Sequence, residues 1–218
     1  AAVGSLLSNL ALVAECIGDL QQARTINEQA LAMREELGDR WPICVSQNNL
    51  GMIALLQNDF AVAQMRFQES MRLANEIGDR WMVAVGHHNL GNAELGLAEP
   101  GRAGDEFLQA LQAYEDYGDQ WSVALLVEDM AMLALAKDDP VRAIELIGAA
   151  DALRTRLDAP RPPAVATMLE AALAPVRPRL GDGESAAHVR GLDLDGPALS
   201  ALLREVGRST SRMPNAVD

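Results

Sequence analysis

The chain has 218 residues, of which 49% are hydrophobic, so it is long enough to bury a core and is not a disordered segment. Its formal net charge of −13 disfavours direct binding of nucleic acid, because an acidic surface repels phosphate backbones. No run of 18 apolar residues predicts a membrane span. Cys16 and Cys44 lie in apolar helical contexts without metal-binding spacing, which favours reduced buried thiols and a cytoplasmic location.

A forty-residue period organises residues 1–157. The pentapeptides LGDRW, IGDRW and YGDQW begin at Leu37, Ile77 and Tyr117. Four alanines share another phase of the same period: Ala23, Ala63, Ala103 and Ala143. A fixed period of this length is typical of supersecondary units that stack on copies of themselves. The sequence therefore predicts four units, of which the first lacks its front end.

Each unit has the apolar spacing of two helices. The second unit shows it most clearly, with a break at Asn58 and Asp59 between the two stripes. The first stripe contains Ile43, Leu50, Ile53 and Ala54, and the second contains Phe60, Ala63, Phe67, Met71, Ala74 and Ile77. Spacing of three to four residues predicts amphipathic helices. We expect eight antiparallel-paired helices of about 16 residues in residues 1–157, without strands.

The repeated pentapeptide is predicted to form a corner between units. Its glycines, Gly38, Gly78 and Gly118, follow a helix end, where a left-handed backbone is common. Its aspartates, Asp39, Asp79 and Asp119, are placed to cap the next helix. Its tryptophans, Trp41, Trp81 and Trp121, are expected to wedge between consecutive units. The alternative is a row of tryptophans that stacks on a ligand.

The end of the chain follows a proline-rich joint at residues 159–163. Its pattern predicts three further helices, at roughly 163–180, 184–190 and 195–206. We therefore divide the chain into four helical repeats (1–157), a C-terminal helical extension (158–207) and a disordered tail (208–218). Because the sequence begins without Met, we expect it to be a piece of a longer protein.

Residues 48–81 resemble a tetratricopeptide repeat. The family pattern of Leu-Gly in the first helix and small residues in the second is matched by Leu50-Gly51, Ala63 and Ser70. The usual period is 34 residues, and the period of 40 resembles a longer subclass found in bacterial signalling proteins. The resemblance implies an all-α right-handed superhelix of antiparallel helix pairs, closed by a C-terminal helical cap.

The C-terminal segment is similar to the one that closes the helical arm of bacterial multidomain regulators of the LuxR or AfsR type. The matching residues are Leu180-Gly181, Gly191, Leu194, Ala198 and Leu202. In those proteins the arm accompanies an NTPase module and often a DNA-binding domain. The resemblance implies the same context here.

No residue pattern predicts catalysis. The only lysine, Lys137, has no glycine-rich phosphate loop, and His87 and His88 are adjacent, so they cannot clamp one metal. Pairs of acidic residues lie at helix ends, where solvated caps are the simpler interpretation. We expect no enzyme activity, no metal and no cofactor.

The remaining candidate is a binding surface on the first helices, which line the concave groove in tetratricopeptide proteins. The predicted partner-binding residues are Asn48, Asn49, His88, Asn89, Asn92, Glu128 and Asp129. A ladder of asparagines can hydrogen-bond the backbone of an extended peptide. The equally weighted alternative is that these asparagines brace contacts within the array.

These features predict a non-catalytic module that binds a protein or peptide, as the sensing arm of a larger bacterial transcriptional regulator or signalling NTPase. It would not bind nucleic acid or a membrane, and it could form a homo-oligomer. The alternative function is a structural arm for self-assembly or for autoinhibitory packing on its own NTPase domain.

Overall fold

A computed structural model of the chain describes residues 18–181 and 183–208, and this part contains helices and turns but no strand. The helices are α1 (Leu20–Leu37), α2 (Arg40–Leu56), α3 (Phe60–Ile77), α4 (Arg80–Gly96), α5 (Pro100–Tyr117), α6 (Gln120–Ala136), α7 (Pro140–Arg156), α8 (Pro163–Leu173), α9 (Arg177–Leu180), α10 (Gly183–Leu192) and α11 (Gly196–Arg208). The predicted first helix of the first unit and Cys16 lie outside the described residues. So does the predicted tail, except Arg208, which is helical and not disordered.

The chain divides into two compact units, one up to Leu97 and one from Ala98 onward. In the first unit α1 packs on α2, α2 on α3, and α3 on α4. In the second unit α5 packs on α6 and α6 on α7. These consecutive contacts between helices of 17 or 18 residues confirm the predicted all-α, tetratricopeptide-like fold class. The division into four repeats, an extension and a tail stays a prediction.

The glycines of the corners have the predicted conformation. Gly38, Gly78 and Gly118 have φ values of 69°, 75° and 66°, in the left-handed region that favours glycine. The side chain of Asp79 accepts a hydrogen bond from the backbone N–H of Met82 at 3.0 Å, and Asp119 caps Ser122 in the same way at 3.1 Å. Asp39 makes no such bond, so the capping prediction is wrong at the first corner.

The small residues of the repeat allow close contact between paired helices. Ala63 on α3 is fully buried, and Phe67 on the same helix lies over Gly51 of α2. A Cβ atom at Gly51 would lie only 2.5 Å from the Phe67 ring, so no larger residue fits there without displacing the ring. The glycine inside this helix therefore has a packing role, which offsets its low helix propensity.

The tryptophan wedge is wrong. Trp41, Trp81 and Trp121 have exposed fractions of 53%, 45% and 53%. Each is the second residue of its helix, where the Cα–Cβ bond tilts toward the N-terminus and no preceding turn offers a surface to pack on. Trp41 instead reaches the next corner, where its indole N–H donates to Oδ2 of Asp79 at 3.1 Å.

We therefore expect Trp81→Ala to lower the free energy of unfolding by about 1–2 kcal/mol, less than the loss of a fully buried ring, because nearly half of its surface is already exposed. The matched control is Phe67→Ala in the same unit, where a fully buried ring is removed and a loss of about 3–5 kcal/mol is expected. Urea denaturation followed by circular dichroism measures both. A loss of unfolding free energy in Trp81→Ala as large as that in Phe67→Ala would support the predicted wedge role of Trp81.

The C-terminal extension differs from prediction in one helix. The helix expected over 163–180 ends at Leu173, and the short α9 begins at Arg177. Pro175 lies in the interruption, and a proline there has no N–H for the helical hydrogen bond and its ring clashes with the carbonyl four residues earlier. The other two helices occur where the pattern places them, as α10 and α11.

The extension packs against the repeats of the second unit. Helix α10 lies on α7, and α11 lies on α5 and α6. Glycines mark both crossings: a Cβ atom at Gly148 would lie 3.1 Å from the carbonyl carbon of His188, and one at Gly104 would lie 3.1 Å from that of Gly207. Backbones this close hold the extension firmly in place.

The single lysine of the sequence forms hydrogen bonds with the C-terminal end of α11. Lys137 is buried at the end of α6, and its Nζ donates to the carbonyl oxygens of Val206 and Gly207, both at 2.9 Å. These carbonyls belong to the last turn of α11, where helical acceptors have no partner within the helix. A cation is also favourable there because the C-terminal end of a helix dipole is negative.

Candidate functional site

In the first unit, the predicted polar residues lie on two consecutive first helices, α2 and α4. The Nδ2 group of Asn89 donates to Oδ1 of Asn48 at 2.8 Å, which joins α4 to α2. Both side chains are half-buried, as are those of Asn49 and Asn92. The structure thus brings Asn48 and Asn89 together as a brace, which is the alternative that the sequence left open.

The brace uses only part of the hydrogen-bonding capacity of the two amides. Within the described residues, the amino group of Asn48 and the amide oxygen of Asn89 make no protein hydrogen bond. Each asparagine side chain offers two N–H donors and an acceptor oxygen. His88, by contrast, is only 8% exposed and belongs to the interior of the unit. The binding role of Asn49, Asn89 and Asn92 stays a prediction.

In the second unit, Glu128 is a buried structural residue and not a groove residue. Its side chain is 3% exposed, and both of its oxygens accept hydrogen bonds from Arg154, at 2.6 and 2.7 Å. Arg161, from the joint after α7, donates to the same carboxylate at 2.7 Å. The sequence placed Glu128 on the binding face because it shares the phase of Asn48, but the two arginines that occupy it are 26 and 33 residues further along the chain.

The ion pairs continue from Glu128 to the extension. Arg161 also contacts Oδ1 of Asp151 at 2.7 Å, and Oδ2 of Asp151 lies 2.8 Å from Nε2 of His188 on α10. This network ties α6, α7, the joint and α10 together. Asp129, which follows Glu128 in the sequence, is half-buried. Burial and the carboxylates of Asp119 and Asp129 raise the pKa of the Tyr114 phenol well above its usual value.

The first part of the repeat array matches a known protein family. Residues 2–76 match the family model of the tetratricopeptide repeat. This range covers the first corner and most of the second forty-residue repeat, in which the Gly51–Phe67 contact occurs. No curated protein matches the chain.

Beyond the residues that match the tetratricopeptide repeat, the second unit contains a cleft of about 570 Å³ beside its corner. Its apolar walls come from Leu111, Val123, Leu153, Leu199 and Leu203, and its polar lining includes Glu115, Asp119, Arg156, Asp195 and Ser200. The repeat pattern could not have predicted it, because one wall belongs to α11, which lies outside the period.

The described helices contain none that is long and apolar enough to cross a membrane. In the same residues, no three His, Cys, Asp or Glu side chains are arranged to hold a metal ion. Cys44 is buried, with its Sγ 3.2 Å from the carbonyl oxygen of Ser70 on α3. Burial raises the pKa of the Cys44 thiol, which makes it a poor nucleophile.

Proposed function

We propose that this chain is a non-catalytic module that binds an extended protein segment along its first helices. The observation that carries the proposal is the pair Asn48 and Asn89, which a hydrogen bond fixes at 2.8 Å while each amide keeps groups for a further bond. The match of residues 2–76 supports it, because tetratricopeptide repeats generally mediate protein–protein interactions. Asn49 and Asn92 lie on the same two helices and would extend the row of amides along a bound backbone.

Within this proposal, the module serves as the sensing or interaction arm of a larger bacterial transcriptional regulator or signalling NTPase. The resemblance of residues around Leu180-Gly181 and Gly191 to the closing segment of such arms supports this context. Asp129, which is half-buried on α6, would interact with a basic group of the partner. A cytoplasmic location follows from the same context.

The second candidate is a structural arm that assembles with itself or packs on its own NTPase domain. This candidate is supported because several residues that were expected to bind a partner form contacts within the chain instead. Asn48 and Asn89 satisfy each other in part, and Glu128 is wholly engaged by Arg154 and Arg161. In this case the polar first-helix residues would serve packing alone.

The test selects peptides from a displayed random library on the chain and measures their affinity for the double variant Asn49→Ala, Asn92→Ala. We expect affinity to fall about thirtyfold, at about 1 kcal/mol for each of the two lost hydrogen bonds, with the melting temperature nearly unchanged. The control is Asn75→Ala, an exposed asparagine on the second helix α3 whose side chain donates to the carbonyl oxygen of Met71 in its own helix.

An equal loss of affinity in Asn75→Ala, or a large drop in stability with unchanged affinity, would contradict the proposed first-helix surface. Sedimentation equilibrium of the chain tests the second candidate. Dimerisation that the double variant leaves unchanged, together with a failure to select any peptide, would favour the structural arm.

A further inference from the structure

The corners between second and first helices expose apolar side chains at each repeat. All three tryptophans of the sequence lie there, and each is exposed. The residue before each corner glycine is also an exposed large apolar side chain: Leu37 at 67%, Ile77 at 36% and Tyr117 at 52%. Scattered exposed apolar residues need no explanation, but the same pair repeated at every corner is a surface feature that suits an interaction.

The same corners concentrate acidic residues. The three seven-residue windows 35–41, 75–81 and 115–121 together contain eight carboxylates and two arginines, a net of −6 out of the −13 of the whole chain. The carboxylates are Glu35, Glu36, Asp39, Glu76, Asp79, Glu115, Asp116 and Asp119. Nearly half of the net charge therefore lies beside the exposed aromatic rings.

Helix stability does not account for this charge. Five of these carboxylates lie in the last turn of α1, α3 or α5, next to the negative end of the helix dipole, where cations are favoured and anions are unfavourable. The last turns of α3 and α5 contain no basic residue at all. Glu76 is offset by Arg72 and Arg40, and Glu115 by Arg204. Glu35 and Glu36 lie against the dipole with only Arg34 as a basic residue in their turn, so their charge suits a role outside the helix.

In the first unit, two corners form one continuous surface. The indole of Trp41 reaches Asp79 of the next corner, and Arg40 pairs with Glu76 at 2.7 Å. The side chains of Glu35, Glu36 and Asp39 form no ion pair or hydrogen bond with another described residue. Their carboxylates are thus available to an external cation beside an exposed indole face.

We propose that each corner, as defined by the three windows above, is a docking site for an arginine-rich segment of a partner protein. A guanidinium group can stack on an indole and at the same time hydrogen-bond a carboxylate, which matches the pairing of groups at each corner. The acidic charge excludes phosphate-bearing partners. These sites lie on the turns and not on the first-helix face, so the inference goes beyond the proposed function.

The test uses a fluorescently labelled peptide of six Arg-Gly repeats, and fluorescence anisotropy measures its affinity for the chain. We expect the triple variant Trp41→Ala, Trp81→Ala, Trp121→Ala to weaken binding at least tenfold, and the triple Trp→Phe variant to retain most of it. Binding should weaken as salt is raised, because exposed charges are screened. A peptide of Glu-Gly repeats should not bind.

Two matched controls separate the corners from the general surface. Met33→Ala with Met65→Ala removes exposed apolar side chains elsewhere. Asp158→Asn with Asp193→Asn removes two exposed charges outside the corners, for comparison with Glu35→Gln plus Glu36→Gln. The corner variants should lower affinity and the controls should not. Equal affinity of the native chain and the triple Trp→Ala variant, absence of binding to the native chain, or equal effects of corner and control variants would overturn the proposal.

The native tryptophans supply an independent measurement, since all of them lie at corners. Relative to free N-acetyltryptophanamide in the same buffer, caesium ions should quench their fluorescence more strongly than iodide ions do, because the carboxylates attract cations and repel anions. Relative quenching that is stronger for iodide than for caesium would contradict an acidic aromatic surface. The variant Asn49→Ala, Asn92→Ala should bind the arginine peptide normally, so the failure of the first-helix proposal would not mimic failure of this one.

Discussion

Replacing Glu128 by glutamine is expected to lower the free energy of unfolding of the second unit by about 3–5 kcal/mol, because it leaves the buried Arg154 without its counter-charge and leaves Arg161 with Asp151 alone. Arg154 is 5% exposed and donates two hydrogen bonds to the carboxylate, and Arg161 donates a third. Glutamine has nearly the same shape, so the loss reports the charge and its acceptor capacity more than packing. Hydrogen bonds to charged groups are also stronger than neutral ones.

Thermal unfolding and urea denaturation of the full chain measure this effect. The control is Glu69→Gln, which removes one carboxylate of the exposed pair with Arg72 on α3 and should cost less than about 1 kcal/mol. Hydrogen exchange should locate the Glu128→Gln effect in α6, α7 and the joint that carries Arg161. If the Glu128→Gln variant is as stable as the native chain but fails to bind a selected peptide, the result would support a role of Glu128 in partner binding.

The corners show which features were predictable from the sequence. A left-handed glycine after a helix and an aspartate before the next one are local requirements of the backbone, and Gly78 and Asp79 satisfy them as predicted. The apolar periodicity gave the helices in the same way. The exposure of Trp81 was not predictable, because burial depends on what lies opposite the side chain, and a large apolar residue carries no local sign of that.

The candidate site was less predictable than the fold because its residues meet partners from distant parts of the chain. Asn48 and Glu128 share one phase of the repeat, yet Asn48 is half-buried against Asn89 and Glu128 is enclosed by Arg154 and Arg161. Arg161 belongs to the joint, where the period has ended. Lys137 likewise meets α11 across about 70 residues. The forty-residue period identifies equivalent positions in different repeats. It does not predict their contacts when a segment outside the period packs against one repeat and not the others.

Acid is expected to loosen the attachment of α10. Burial raises the pKa of the Glu145 carboxyl, but hydrogen bonds from Arg142 and Arg190 outweigh it and leave the pKa below its ordinary value. A carboxylate with a lowered pKa stabilises the folded state above its unfolded pKa and loses that contribution as the pH falls through its folded pKa. The ion pair from Arg190 to Glu145, at 2.7 Å, should therefore weaken only as the pH falls below the ordinary pKa of a glutamate carboxyl.

The substitution Gly191→Ala is expected to detach α10 more completely than acid does, with a loss of about 3 kcal/mol in the free energy of unfolding. A Cβ atom at Gly191 would lie 2.8 Å from the carbonyl carbon of Glu145 and 2.9 Å from the backbone nitrogen of Ala149. Both atoms belong to the backbone of α7, so no side-chain rotation can make room. The helices must separate, and separation also breaks the contacts of Arg190 with Glu145 and of His188 with Asp151.

Gly183→Ala in the same helix is the matched control, because a Cβ atom there meets nothing within 4 Å. Alanine favours the helical conformation over glycine by up to about 1 kcal/mol, so this change should leave stability unchanged or raise it. Hydrogen exchange should rise across α10 in Gly191→Ala alone, while α2 to α4 of the first unit keep their protection. Equal stabilities of the two variants would mean that α10 does not depend on close approach to α7, and the ion pairs of Glu145 and Asp151 would then have to hold the extension by themselves.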